Sequence, residues 1–547
     1  MIIQSAFSFG TKRLCFFLTL LFFVLFTSFQ AFACDTSAEP TWELNTQETG
    51  LARTALHIAR ESYPEIDREH YLKRLNDIIE RVRASLNNKK EPGHIIATIN
   101  NVLFNELQFH YVQTGKLEHI SLHKVLDTRT GNCVGLSILY LSIAEGLHLP
   151  MYGVSVPEHI FVRYDDGNFR QNIETGYKGM TTSDNYYINI PQKKISSISI
   201  KNGCYLKNLT TDEVIADIYL NRSILQKEGG NIEAALKDVN HAISLHGNDA
   251  VAYCNRGVIH ETTGDIERAI DDYNKAVSLN PDYAPTYYNR GSMYAKMEQL
   301  DMAIMDYSMA LSLDPDSKLA YLNRGIAFQM IGKKDLALND LNKTITLDPA
   351  FAYAYSTRGL MHVESDKPEK ALADFNKALE LDPNHAETYM RRSILHADAQ
   401  RFDHAIQDIT TFIRFEPNNA FAYYIRAKAY RGKGFLELAI KDFDKMLEIK
   451  PRVAGVYYER SLSKNQLGMI SEALMDLHKA IELFPYNPFA YLHRGNIFKK
   501  LGDNKNALLD YQTYLKLNPK APDREEIEID IECLEKRTQA NWSFQKK

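Results

Sequence analysis

Residues 253–286 read YCNRGVIHETTGDIERAIDDYNKAVSLNPDYAPT, and the pattern restarts on Tyr287. Reading outward in steps of 34, the Arg of this stretch recurs at Arg222, Arg256, Arg290, Arg324, Arg358, Arg392, Arg426, Arg460 and Arg494. A strict period of this length marks one supersecondary unit copied in tandem. More than half of the chain is therefore an array, and an array is first a binding surface. Chemistry is to be sought in the residues that do not repeat.

Further columns keep the same register. A Tyr stands three residues before each Arg, from Tyr219 to Tyr491, and an Ala thirteen after it, from Ala235 to Ala507. An Asp stands sixteen after it, from Asp238 to Asp510. Pro closes each unit from Pro281 to Pro519, with Gly247 in that place in the first. The Tyr opens a first helix as an amphipathic anchor. The Ala, and a Gly after five of the Arg (Gly257, Gly291, Gly325, Gly359, Gly495), allow a second helix to come close. The Pro ends one helix and restarts the next. Each Arg has its own Asp, which a helical hairpin brings alongside, so the columns predict structural ion pairs rather than a basic stripe for an acidic ligand.

By these residues the segment 216–521 resembles the tetratricopeptide repeat family, in nine units, with Tyr where the family usually has Trp. The resemblance implies an α-solenoid with a concave groove for a protein or extended peptide. In that family the position before the Arg lines the groove. Here it holds Asn221, Asn255, Asn289 and Asn323, then Thr357, Arg391, Ile425, Glu459 and His493. The two-sided amide of Asn can hold a peptide backbone, so a peptide site is expected in the first half. The lysines of a carboxylate clamp are missing, since Leu220, Cys254, Tyr288 and Leu322 precede the Asn residues. After the array, Asp523-Arg-Glu-Glu526 resembles a capping box opening a final helix over 522–540 that covers the apolar end of the stack.

The net charge of −5 becomes −7 without residues 1–33, and such a mildly acidic, evenly mixed chain argues against nucleic acid as the main partner. Lys12 and Arg13 precede an apolar run from Leu14 to Phe26 and a small-x-small end at Ala31-Phe-Ala33. These residues predict a signal peptide over 1–33 and an exported protein, periplasmic or extracellular. Cleavage there leaves Cys34 first, the place of a lipid anchor in a bacterial lipoprotein, so a membrane is expected as partner only if Cys34 is lipidated. Cys133, Cys204, Cys254 and Cys533 are the others left, too widely spaced for a disulfide framework. No metal-binding or phosphate-cradling motif appears, and no cofactor is expected.

Residues 41–211 carry no period. Helical stretches are expected from Leu51 to Ala84, broken near Pro64, and from Gly93 to Gln113. Thr130-Gly-Asn132 then delivers Cys133 to the start of an apolar helix that ends near Gly146. At such a helix start the dipole and free amides favour a thiolate. His159–Tyr164 reads as a strand, Asp165–Asn168 as a turn and Phe169–Glu174 as the returning strand. If Tyr164 pairs with Phe169, His159 faces Glu174, and Asn172 is the diagonal neighbour that could orient the His instead. A Cys opening a helix, with a His and an acid on strands, is the arrangement of thiol nucleophile, base and orienter. His110, His119 and His123 lack partners at triad or metal spacing and read as ordinary polar residues.

The segment from Arg129 through Gly131-Asn-Cys133, Gly135, Ser137, Leu139-Tyr140, Leu149-Pro150, Gly153-Val154 and Pro157 to His159 resembles the transglutaminase-like superfamily, in particular its SirB-type branch. The resemblance implies an α+β, papain-like thiol domain with Cys133 as nucleophile, His159 as base and Glu174 as orienter, where the family usually has Asp. The expectation is a mostly α protein: an exported, peptide- or protein-binding solenoid whose Cys-His-Glu site acts on amide bonds by hydrolysis or acyl transfer, as a protease, amidase or transglutaminase-like acyltransferase. The alternative is a non-catalytic interaction scaffold with a degenerate front domain. The front domain is expected to dock on the first repeats, since no Gly/Ser-rich or Pro-rich linker separates the halves.

Overall fold

The computed structural model describes residues 50–544 apart from 115 and 191–194. The signal peptide expected over 1–33 and Cys34 lie outside the described residues. From residue 51 onward the chain is mostly helical, and Leu51–Lys547 forms one compact unit.

The repeats are helical hairpins, beginning with Thr211–Glu228 paired to Ile232–Leu245 and ending with Pro488–Leu501 paired to Asn504–Leu517. Every column Ala is fully buried and every column Asp is 2–7% exposed. In each repeat the Arg grips its Asp with two parallel bonds, Nε to one carboxylate oxygen and Nη2 to the other, at 2.6–2.9 Å. The guanidinium lies over the column Tyr, 5.3–5.8 Å from the ring centre. This is the fork geometry that only Arg provides.

A column missed in the sequence uses the third nitrogen. Nη1 of Arg256, Arg290, Arg324, Arg358, Arg392, Arg426 and Arg460 reaches back to Asn240, Asn274, Ser308, Asn342, Asn376, Thr410 and Asp444 on the preceding repeat, at 2.5–3.3 Å. The Arg thus joins the two helices of its own repeat and ties that repeat to its neighbour. The reading from sequence found the first bond set and not the second, because the partner column varies in residue type while keeping its oxygen. Gly257 and Gly359 admit Tyr273 and Phe375, whose rings would lie 2.6 Å from an added Cβ.

The last helix, Arg524–Phe544, covers the end of the stack through Ile527 and Leu534 against Tyr511 and Tyr514. Asp523 does not form the expected capping box: its carboxylate accepts the Tyr514 hydroxyl at 2.6 Å. A true capping box opens the first repeat instead. Thr210 Oγ1 accepts from Glu213 N at 3.3 Å, and the Glu213 carboxylate accepts from Thr210 N at 2.9 Å.

The front domain starts with α1 (Leu51–Ser62), α2 (Arg68–Leu86) and α3 (Pro92–Asn100). A π-helical turn, Asn101–Glu106, ends the third stretch, and His110–Tyr111 forms strand β1, so the expected helix to Gln113 stops short. Then follow α4 (Leu122–Thr128), β2 (Thr130–Gly131), which pairs in parallel with β1, and α5 (Cys133–Gly146). The helix α5 is buried on all sides from Val134 to Ala144. An antiparallel sheet follows in sequential order: β3 (Met151–Val156), β4 (His159–Asp165), β5 (Arg170–Glu174) and β6 (Met180–Thr182). One sheet face, through Ile160, Val162 and Ile173, shares the core of α5. On the other, Phe161 packs with Tyr187, Ile195 and Tyr205. Both faces of β4 are therefore covered.

The first repeat treats α1 as if it were a preceding repeat. Arg222 clasps Asp238 like the others, but its Nη1 reaches the Ile58 carbonyl at 2.8 Å and its Nη2 also reaches Glu61 at 2.5 Å. Further contacts bind the front domain to the second repeat: Ser199 Oγ donates to Asn280 Oδ1 at 2.8 Å, and Asn280 Nδ2 to Tyr205 Oη at 3.1 Å. The docking on the first repeats agrees with the expectation from the missing linker.

Removing one member of a buried, hydrogen-bonded ion pair strands the other, at a cost of about 3 kcal/mol. Arg324→Met should therefore lower the first urea-unfolding midpoint markedly, whereas Arg324→Met with Asp340→Leu should regain at least half of the loss. Equal losses in the single and double variants would show that the pair is not what the repeat depends on.

Candidate functional site

Asn132 caps α5, its Oδ1 accepting from Gly135 N at 3.0 Å, so Cys133 occupies the first helical position, where backbone amides lack helical partners. Asn132 N donates to the His119 carbonyl at 3.0 Å, and that same oxygen lies 2.2 Å from where a Cβ on Gly135 would stand. Glycine is needed there for the 117–119 turn to hold the cap. His123, read as an ordinary polar residue, is 2% exposed and packs edge-on against Tyr63 and Tyr71; burial first holds its pKa down to about 4.

The hairpin of β4 and β5 differs from its expected register. Asp166, not Asp165, starts the turn, because its carboxylate accepts from the amides of Asn168 (2.9 Å) and Phe169 (2.7 Å). Asp165 joins the strand opposite Arg170 and pairs with its guanidinium at 2.8 Å. The pairing therefore moves by two residues. Phe161 takes the place opposite Glu174 that was expected for His159, extrapolating the observed pairs Val162–Ile173 and Arg163–Asn172. A shift of two keeps every side chain on its face, where a shift of one would have inverted them all. Glu174 becomes the diagonal neighbour of His159, a longer span that the extra methylene of Glu over Asp helps to cover. His159 Nε2 lies 2.8 Å from Glu174 Oε2.

Asn172, by contrast, moves out of reach. Its Oδ1 accepts from the buried Arg163 Nε at 2.7 Å, and its Nδ2 donates to Asp184 at 2.8 Å. The substitute orienter is thus a crosspiece of an Arg163–Asp184 network, held four positions from His159 by the shifted register. Tyr187 was missed altogether. Its hydroxyl donates to the second oxygen of Glu174, and its ring stacks on Phe161 with centres 4.5 Å apart. No periodic or local motif marks it.

Glu174 is 2% exposed and His159 is half-buried. Burial opposes a charged ring, yet hydrogen bonds to Cys133 and to Glu174 outweigh it and push the His159 imidazole up to about 9. The ring is therefore an imidazolium at neutral pH, held between a sulfur and a buried carboxylate. Burial pushes the Cys254 thiol up to about 11 and raises that of Cys204.

Cys133 and His159 open into a cavity of about 580 Å³ whose far wall belongs to the repeats. That wall carries Asp217, Asn221, Asp249 and Asn255, so two members of the Asn column face the thiol cavity. The other two do not line it: Asn289 Nδ2 lies 3.7 Å from Cys254 Sγ, and Asn323 Nδ2 donates to Tyr288 Oη at 3.1 Å. Asp217 and Asp249 went unnoticed in the sequence. Their signal lies in departing from the period, since Val251 and Tyr283 stand one repeat later.

Two sets of family models match. The transglutaminase-like superfamily core covers residues 69–216, and tetratricopeptide repeats cover 250–283, 284–317, 352–385, 422–453 and 490–520. Among curated proteins, a UPF0162 protein of Xylella fastidiosa is 29% identical over 136 residues, which is 23% of this chain and 48% of that one. The chain thus spans about half the length of that relative. A UPF0162 protein of Pseudomonas aeruginosa is 24% identical over 206 residues, 37% of this chain and 74% of its own. The mouse F-box only protein 21 is 27% identical over 143 residues, 26% of this chain and 21% of its own. Among solved structures, a tetratricopeptide repeat protein from Parabacteroides merdae covers 43% of this chain and 93% of its own, at 22% identity and a TM-score of 0.35.

A His whose folded pKa is raised contributes stability that is fully present below its unfolded value near 6.5 and is lost as pH rises through about 9. Glu174→Gln keeps the shape but removes the charge. By NMR, the His159 titration midpoint should fall from about 9 by at least one unit, and the loss of stability between pH 7 and 9 should shrink with it. An unmoved midpoint would mean that Glu174 does not hold the imidazolium.

Proposed function

Because the chain joins a transglutaminase-like domain to tetratricopeptide repeats and is thereby a protein-interaction repeat protein, we propose that it is a thiol enzyme acting on amide bonds of a peptide or protein held by its repeats. The observation that carries this reading is that Cys133 and His159 line one wall of a cavity shared with the repeats, with His159 Nε2 2.8 Å from the buried Glu174 carboxylate.

The chemistry follows from the positions. With the thiol proton resting on the His159 imidazolium, the Cys133 sulfur attacks the amide carbonyl carbon. The carbonyl oxygen takes the electron pair and is met by the Cys133 backbone amide at the helix start. The C–N bond then breaks as His159 returns the proton to the departing amine, leaving a thioester. Water completes hydrolysis by the reverse steps, or a second amine completes transfer, with His159 again accepting and returning the proton. Glu174 touches no substrate atom. It is a positioning residue that holds the ring and stabilises its charge, and Tyr187 holds Glu174.

Alkylation with iodoacetamide at pH 6 tests this. Cys133 should react at least tenfold faster than the exposed Cys533, and His159→Ala should abolish the difference. A Cys133 no faster than Cys533 would leave the non-catalytic scaffold as the reading.

The apolar run after Lys12 and Arg13 and the small residues before Cys34 support export to the periplasm or cell exterior. Membrane attachment would need lipid on Cys34. Palmitate should label the expressed protein and not its Cys34→Ser variant; absence of label in both would leave an unanchored exported protein.

A further inference from the structure

The cavity has two chemically unlike walls. One carries the thiol and imidazole of the front domain; the other comes from the helices Thr211–Glu228 and Ala250–Thr262 and from the loop before the second of them. Asp217 stands one helical turn before Asn221, whose Nδ2 donates to the Asp217 carbonyl oxygen at 2.8 Å. Among the described residues no Lys, Arg or His pairs with the Asp217 carboxylate. Its charged neighbours are Asp249 and Glu213. The cations nearby bond to Glu213 rather than to Asp217, Lys207 at 2.6 Å and His246 at 3.4 Å from the same oxygen, and both also attract the Asp249 carboxylate. Asp249 accepts from Val251 N at 2.8 Å. Burial, then the like charges, holds the Asp217 carboxyl well above the usual carboxylate range.

A second observation is independent of the acids. Asn255 Nδ2 is shut off from solvent and has no hydrogen-bond partner. A buried donor without an acceptor costs about 1–3 kcal/mol; Asn255 itself lines the cavity, so a turn of its side chain brings Nδ2 to a ligand carbonyl that relieves this cost. The wall therefore offers an acceptor lacking a cation beside a donor lacking an acceptor. A peptide with a cationic nitrogen satisfies both, and about 580 Å³ lies within the range of sites that enclose small ligands.

We propose that the repeat-side wall of the cavity is a subsite for a peptide bearing a cationic nitrogen, with Asp217 and Asp249 taking the cation and Asn255 Nδ2 a backbone carbonyl. The inference deepens the thiol-enzyme reading by naming the substrate class at that site. The cationic nitrogen comes from a Lys or Arg side chain or from a peptide amino terminus.

The full chain carrying Cys133→Ala is titrated calorimetrically with pools of acetylated, amidated hexapeptides, random except for one position fixed as Lys, Arg, norleucine or Glu. A further norleucine pool has a free amino terminus. At least one cationic pool should bind tenfold or more tighter than blocked norleucine. Preference for the Lys or Arg pool identifies a side chain, and preference confined to the free-amine pool identifies the terminus. Asp217→Asn with Asp249→Asn should erase the preference while leaving the melting temperature of the chain unchanged. If that pair unfolds, Asp217→Asn alone should weaken cationic binding at least threefold. Norleucine or Glu binding as tightly as every cationic pool, or a preference that survives the Asn variants, overturns the proposal. Because Cys133 is absent, cation-selective binding by a protein whose wild-type thiol is inert would sink the enzyme reading alone.

Discussion

The guanidinium–carboxylate clasp in each repeat is the interaction on which the architecture rests. Two of its bonds lock the helices of one hairpin, and the third nitrogen reaches the neighbouring unit. Burying charge is costly unless each hydrogen-bonding position is filled. Here the fork fills both carboxylate oxygens and the column Tyr covers the guanidinium plane. In the second to eighth repeats the third nitrogen takes an oxygen from the preceding unit, and in the first repeat it takes one too. The carbonyl of Ile58 supplies it, with Glu61 adding a second contact.

That substitution makes the front domain behave as an N-terminal neighbour of the solenoid rather than a tethered appendage. Its consequence is the cavity. Only when α1 is seated on the first repeat do Cys133 and His159 come to face Asp217, Asn221, Asp249 and Asn255. The same rule that stacks one repeat on the next thus brings Cys133 and His159 against the first repeats of the array.

Within the front domain, chemistry is organised by a hairpin whose side-chain alternation matters more than its pairing. Asp166 captures the turn amides, slides the register by two, and still leaves Glu174 on the face of His159. Tyr187 then fills the second Glu174 oxygen from beyond the sheet. The carboxylate is buried and bonded twice, which keeps it available to the imidazolium rather than to solvent.

The period of 34, the Arg and Asp columns and the Cys-His-Glu order were legible in the sequence, because helical and strand periodicities are local and each column repeats its residue type. The turn position was not legible, since it depends on whether Asp165 or Asp166 captures the turn amides, and both are Asp. The Nη1 partner column was hidden because bonding there asks only for an oxygen, which Asn, Ser, Thr and Asp all offer. Tyr187, Asp217 and Asp249 were invisible as site residues because distant segments bring them together, and no spacing encodes that meeting. Local chemistry along the chain was enough to specify the solenoid and its Cys-His-Glu trio; only packing of α1 against the first repeat decided what surrounds the sulfur.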